Sequence, residues 1–344
     1  MSRTRSLGSI AALSLTALAL TACSSASTDA PADDAAANAA EASTITLYTS
    51  EPQEKIDALV AAFTTEHPEI EVDVFRAGTG DLTARIAAEE KSGAVGADLL
   101  LAADAPTFED YADRDLLLEY QSPEAKHINQ DLIDPEHFYV GTRLLPTVIA
   151  INTNEITDAP TSWNDLTDPA YAGKIAMPNP DVSGAAAYNA AVWLNEPALG
   201  ESWLKGLAAN TPLIAESNGP VSQAVADGSN PVGIVVDSLV RDLAAAGSPI
   251  EAVYPEEGVP FVSQPVGIFA NTEEPEASKL FVDFLISKEG QEIAVSQSYL
   301  PIREDVDSPE GAPAVADIVL LNPKLETIRS TQAGAIETFN ALFQ

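Results

Sequence analysis

Basic residues are scarce. Lys and Arg together number 17 against 52 Asp and Glu, a formal net charge of −35 over 344 residues. A nucleic-acid partner is excluded by this balance, because tracking a phosphate backbone requires a basic footprint; the acidity reads as solvated surface that keeps the chain soluble. Cysteine is scarcer still. Cys23 is the single one, so no disulfide framework and no CxxC chemistry is available. The three histidines, His67, His127 and His137, sit in polar contexts without metal-ligand spacing and read as surface residues. The motifs G-x-S-x-G, H-E-x-x-H and G-x-x-x-x-G-K-[ST] are all missing. Carboxylates are too abundant for spacing to single out a catalytic pair, so no catalytic residue, cofactor or metal is assigned. The apolar run at 10–20 falls short of the ~20 residues that a membrane-spanning helix needs.

That short run has another use. With Arg3 and Arg5 ahead of it and Leu20-Thr21-Ala22-Cys23 at its end, residues 1–22 have the build of an export signal. The closing tetrapeptide resembles a bacterial lipobox, which implies cleavage before Cys23 and lipidation of its thiol. Residues 23–43 then form a tether of Ser, Ala, Asp, Pro and Thr with no apolar period, able to bury almost nothing. The mature chain is thus expected on the outer face of the cell membrane, held by its N-terminal lipid. The remaining residues, roughly 300, favour two lobes over one core.

From Thr44 onward strands and helices alternate. Strands are expected at 44–48, 70–75 and 97–102, with helices at 53–66 and 82–91 between them. Ile56, Leu59, Val60 and Phe63 give the first helix one apolar face, and the uninterrupted apolar run at 97–102 suits a parallel strand covered on both sides. This β-α-β-α-β order is the doubly wound pattern, in which ligands lie beyond the carboxyl ends of the strands. Three such ends carry small polar residues: Thr49-Ser50, Gly78-Thr79-Gly80 and Ala103-Asp104. Apolar strands at 144–152 and 265–271 bracket a second βα series, so the chain leaves the first lobe and returns to it. Lobe one is expected to comprise 44–148 plus 267–344, and lobe two 149–266.

The series in lobe two holds the stretch Met177-Pro178-Asn179-Pro180-Asp181-Val182-Ser183-Gly184. The prolines end a strand at 174–177, Asp181 and Ser183 are good N-cap residues, and an Ala-rich helix runs to about Leu194. First-turn amides of a helix lack intrahelical partners and carry partial positive charge, so a glycine there opens the backbone to an anion. An ordinary capped helix is the simpler reading of this stretch alone.

Taken in order, several stretches together resemble the extracellular solute-binding proteins of bacterial ABC importers. They are Ile45-Thr46-Leu47-Tyr48-Thr49-Ser50, Gly78-Thr79-Gly80 with Leu82-Thr83-Ala84-Arg85-Ile86, Ala97-Asp98-Leu99-Leu100 and Pro160-Thr161-Ser162-Trp163. Tyr171-Ala172-Gly173-Lys174-Ile175, Pro180-Asp181-Val182-Ser183-Gly184, Tyr254-Pro255-Glu256-Glu257-Gly258 and Tyr299-Leu300-Pro301-Ile302-Arg303 continue the series. The group resembled is the one that holds ferric-iron-binding proteins with their phosphonate- and hexose-phosphate-binding relatives. The resemblance implies an α/β, two-lobe fold of the type 2 periplasmic-binding-protein kind, two hinge strands, a cleft that closes over ligand, and a permease as partner. A monomer without enzymatic activity is expected. In the ferric branch a tyrosine pair at a strand end holds the metal; the corresponding residues are Ser238 and Leu239. Hard Fe(III) needs anionic oxygen donors, so iron becomes the alternative ligand and a small phosphonate or phosphorylated solute the expected one. Its donors would be Ser50, Thr79, Gly80, Ser183, Gly184, Ser217 and Asn218, through hydroxyls and main-chain amides. Asp104 and Asp237 either accept from a ligand amine or hydroxyl or serve as helix caps. Arg143 is a fork donor for the anion or a surface residue. A secreted hydrolase or transferase is the reading from another functional class.

Overall fold

The computed structural model describes residues 42–344. The leader, Cys23 and the tether expected at 23–43 therefore lie outside the described residues except for the last two positions.

Two sheets organise the chain. In the first, β1 (Ser43–Thr49) lies parallel to β2 (Ile70–Arg76) and β3 (Leu99–Leu101). Between these strands run α1 (Gln53–Glu66) and α2 (Thr79–Ser92), and α3 (Ala105–Asp113) follows β3. The expected apolar face of α1 is present: Ile56, Leu59 and Phe63 are buried at helical spacing. β4 (Tyr139–Gly141) belongs to this sheet, and β5 (Leu145–Asn152), buried along its whole length, belongs to the other.

The second sheet continues with β6 (Ile175–Pro178), α4 (Gly184–Asn195), α5 (Gly200–Ala209), β7 (Leu213–Ala215), α6 (Asn218–Ala226) and β8 (Val232–Val236). After α7 (Asp237–Ala245), β9 (Ile250–Val253) and β10 (Val259–Val262) pair antiparallel with β5. β11 (Pro265–Ile268) returns to the first sheet, between β3 and β4, and α8 (Pro275–Ile286) and α9 (Lys288–Ser296) pack there. Pro178 is the last residue of β6, where its missing N–H ends the ladder.

The two crossings that the sequence suggests lie side by side. Thr142 N donates to Ser263 O at 2.9 Å, and Thr142 Oγ1 donates to Gln264 O at 2.8 Å. A third crossing departs from expectation. The C-terminal segment assigned to the first lobe goes back to the second sheet, where β12 (Leu320–Leu321) pairs with β10 and α10 (Leu325–Phe343) lies on α4 and α5. The cause is α4. All ten residues from Gly184 through Trp193 are buried, so this helix needs cover on every side, and Ile328, Ala335 and Phe339 of α10 supply one of them. Beneath α4, Trp163, Trp193 and Trp203 pack as a triangle with ring centroids 5.4–6.1 Å apart.

Candidate functional site

Parallel strands deliver their carboxyl ends, and so the N-termini of the following helices, to one edge. The first sheet delivers the β1–α1 and β2–α2 turns, the second the β6–α4, β7–α6 and β8–α7 turns. These five face one another across a cleft of about 520 Å³, with Ser50, Thr79, Ser183, Ser217 and Ser238 in its lining, one from each turn. Gly184 and Asn218 line it as well. Only α4 is capped by its own side chain here; Gly78, Ser217 and Val236 precede their helices without a capping bond, and Pro52 cannot form one. The first-turn dipoles therefore point into the cleft largely unanswered.

Ser183 is the most constrained of these donors. Its Oγ accepts from Ala186 N at 3.3 Å and from Asn218 Nδ2 at 3.1 Å. A hydroxyl has two acceptor sites and one proton, so with both sites filled Ser183 can act toward a ligand only as a donor. Asn218 is fixed in turn by Val236 N, which donates to its Oδ1 at 3.2 Å.

Three expected residues take other places. Asp104 does not line the cleft. It precedes α3, where its carboxylate accepts from Thr107 and, at 3.1 Å, from Gln332 Nε2 of α10. Burial raises its pKa to about 6 against the opposing pull of those two bonds. Asp237 is fully buried, accepting from Arg241 Nη1 at 2.7 Å and from the Tyr254 hydroxyl at 2.9 Å, and it too stays out of the lining. Gly80 serves closure instead. Its N–H donates to Val182 O at 3.3 Å, and a Cβ there would lie 2.1 Å from Asp181 O. Gly184 has the same character, since its missing Cβ would meet Ala103 O at 2.7 Å and Thr79 at 2.9 Å. With Lys55 Nζ 2.7 Å from Asp242, these contacts join the halves, so the cleft is closed.

Several lining residues were not singled out from sequence. Glu51, 1% exposed, accepts from Gln264 Nε2 at 2.7 Å and from the Tyr299 hydroxyl, and its Oε1 is 3.3 Å from Arg143 Nη1. Arg143 is thus a buried counter-ion behind the cleft, neither a surface residue nor a lining one. Burial, and then the Glu51 charge, hold the Tyr299 phenol well above its usual pKa, so it is a neutral donor. Arg76 is the one basic side chain in the lining, while Asp81 and Glu216 add carboxylates at exposed positions. Ser238 Oγ, on a residue 1% exposed, has no hydrogen-bond partner among the described residues. An orphaned polar atom facing a cleft is satisfied by what enters it.

Comparison with known proteins fits this geometry. Residues 95–330 match the family model of the bacterial extracellular solute-binding proteins. The chain belongs to this family. Its members bind solutes and are not catalysts, and the two-sheet α/β architecture around a closed cleft is the type 2 periplasmic-binding-protein fold. An uncharacterized protein of Haemophilus influenzae is 27% identical over 249 residues, which is 67% of this chain and 70% of that protein. Among solved structures, AfuA of Actinobacillus pleuropneumoniae with fructose-6-phosphate bound superposes with a TM-score of 0.80. It is 24% identical, and the match covers 88% of this chain and 98% of that one. Iron-bound HitA of Pseudomonas aeruginosa gives a TM-score of 0.78 at 21% identity, covering 88% of this chain and 99% of that one. At these identities the structures speak for the fold.

Proposed function

We propose that this solute-binding protein captures a small phosphorylated or phosphonate solute outside the membrane and hands it to an ABC permease as the cleft reopens. The observation that carries the reading is the Ser183 hydroxyl, confined to donation and set among five converging helix N-termini. Fixed dipoles and O–H donors neutralise a phosphoryl oxygen without a lysine cluster, and Arg76 adds one full charge. Asp81 and Glu216 would accept from hydroxyls on the solute's other end. AfuA, holding a hexose phosphate, shows that a relative of this fold accommodates such a molecule. Both halves contribute donors, so ligand stabilises the closed form by contacts that the open form lacks.

Iron(III), which HitA carries, fits less well. At the β8–α7 turn Ser238 and Leu239 offer no phenolate, and Tyr299 and Glu51 are already bonded to each other. Anchoring through a lipid on Cys23 is part of the same proposal and rests on the sequence of the leader.

A thermal-shift screen of phosphonates, sugar phosphates, polyamines, thiamine and ferric citrate tests the reading. Ligand at ~100-fold above Kd adds about 2.7 kcal/mol to a native state that alone binds it. Stabilisation by a phosphorylated member, lost in Ser238→Leu, is expected. A ferric complex with a reddish charge-transfer band, or a polyamine shift that Ser238→Leu abolishes while no phosphorylated compound acts, would refute it.

A further inference from the structure

The two halves also meet beside the cleft, at α3 and α10. α3 packs into a core of the first half through Phe108 and Tyr111, and α10 into that of the second through Ile328, Ala335 and Phe339. Two side chains of α10 reach across to α3. Arg329 pairs with Asp113 at its end, and Gln332 Nε2 donates to Asp104 Oδ1 at its start, at 3.1 Å. The Asp104 corner belongs to the surface that closes, because Ala103 O, one residue before it, is the atom set against Gly184 of α4.

The contact between Asp104 and Gln332 is half made. Gln332 Oε1 is buried and has no hydrogen-bond partner among the described residues. An ionised carboxylate only accepts, so it answers the amide N–H and never the amide oxygen. A protonated carboxyl answers both, taking the N–H on one oxygen and donating its O–H from the other. The Thr107 hydroxyl, which donates to the carboxylate, is able to reverse and accept. The groups that face Asp104 are Tyr111 of α3, Tyr188 of α4 and Gln332 of α10, and the Arg329 guanidinium on α10 is taken by Asp113. Burial therefore outweighs the two hydrogen bonds and lifts the carboxyl from 3.8 to about 6.

We propose that Asp104 is a proton-operated latch on the cleft, taking a proton from solvent as α3 and α10 come together and returning it as they part. The closed form is thereby favoured in mildly acidic surroundings, and solute is released more readily toward neutral pH. This rests on the solute-binding reading only for the premise that the cleft opens and closes, whatever the solute. Parting exposes the carboxyl to water and restores its ordinary pKa. The proton's contribution to closure is then complete below pH 3.8 and is lost as pH rises through about 6. These two values make the closed-to-open ratio about 10-fold higher at pH 5 than at pH 7.5.

Small-angle scattering of the full chain without solute, at fixed ionic strength, reads this ratio as compaction. The wild type is expected to be more compact at pH 5 than at pH 7.5. Asp104→Asn carries an amide that donates to Gln332 at every pH, and should match the pH 5 wild type at both values. The difference between the two proteins isolates this carboxyl from the other titrating groups. NMR of carboxyl-labelled aspartate, assigned by the signal that Asp104→Asn lacks, gives a second measurement. Asp104 should titrate at about 6 in the wild type and near the ordinary 3.8 in Gly184→Val, whose side chain obstructs closure. Equal titration in those two proteins, a wild type whose compaction ignores pH, or a pH response that Asp104→Asn shares would each overturn the inference. No solute is present in either measurement, so such a result leaves the anion reading standing, and a thermal screen without a phosphorylated ligand leaves the latch standing.

Discussion

Gly184→Ala should separate closure from capping. Gly184 opens α4 on one side of the cleft, and the atoms its new Cβ would meet, Ala103 O at 2.7 Å and Thr79 at 2.9 Å, belong to the other side. Ala103 O is backbone and cannot swing away. In the open form the methyl group meets nothing across the cleft, and alanine suits a helix at least as well as glycine. The cost therefore falls on the closed form alone. Overpacking by one methyl typically costs ~1–3 kcal/mol, and apparent affinity falls with the closed fraction. At 1.36 kcal/mol per factor of ten this amounts to about 5- to 160-fold weaker binding. Gly184→Val should be worse. Ser183→Ala differs in kind. It removes a donor to an anion, worth about 1.5–3 kcal/mol, and also the α4 cap, worth ~0.5–2 kcal/mol of stability. Calorimetry with the solute found by the thermal screen measures affinity, small-angle scattering measures compaction, and thermal melting of the ligand-free proteins measures stability. Weak binding without compaction and with a normal melt is expected of Gly184→Ala; weak binding with a lowered melt is expected of Ser183→Ala. A Gly184→Ala protein that compacts and binds like the wild type would show that the glycine seam does not govern closure. Tryptophan emission is a poor readout here, because Trp163, Trp193 and Trp203 lie together in the second sheet's core, away from the cleft lining.

Asp104 should make stability depend on pH. Its folded pKa, about 6, exceeds the ordinary 3.8, so the folded form holds the proton more tightly and the group's contribution is full below pH 3.8 and lost as pH rises through about 6. The loss is about 2–3 kcal/mol; Asp104→Asn should then be the more stable protein at pH 7.5 but not at pH 3.5, and urea unfolding that ranks the two alike at both values would contradict this. Arg143→Met leaves Glu51 charged and buried, at a cost of ~3–5 kcal/mol, much of which Glu51→Gln in the same chain should recover; a double-mutant cycle on unfolding free energy measures the coupling, and simple additivity would count against the pair. Cys23→Ser should move the protein from the membrane fraction to the soluble one with solute affinity unchanged; a variant that stays with membranes would remove the lipid from the proposal.

Elements whose signal is local were legible in the sequence. The 53–66 helix shows its stripe of Ile56, Leu59 and Phe63, and the Ser183 cap and the strand at Val232–Val236 need only near neighbours to be read. Ser50, Thr79, Ser183, Gly184, Ser217 and Asn218 could be named because strand ends in a parallel sheet share an edge, and all six line the cleft. What escaped depends on distant partners. Nothing near Glu51 announces Arg143, Gln264 or Tyr299, which reach it from three other segments. Asp104 looks like a rim residue until α10 brings Gln332 to it. Asp237 is a different case. Arg241, one helical turn on, was visible as an i,i+4 partner, so its removal from the cleft could have been anticipated.

The last helix has a consequence for how the chain is made. α4 can be covered on all sides only when residues 325–343 have arrived, since Ile328, Ala335 and Phe339 sit in its core. A ribosome releases the chain from its first residue onward. The segment holding β5 through β10 is therefore complete long before its largest helix acquires a lid, and in that interval an Ala-rich apolar face with Tyr188 and neighbouring side chains stands open to water. Truncation at residue 324 would make that interval permanent. Residues 325–343 are thus the stitch that finishes a half begun nearly two hundred residues earlier.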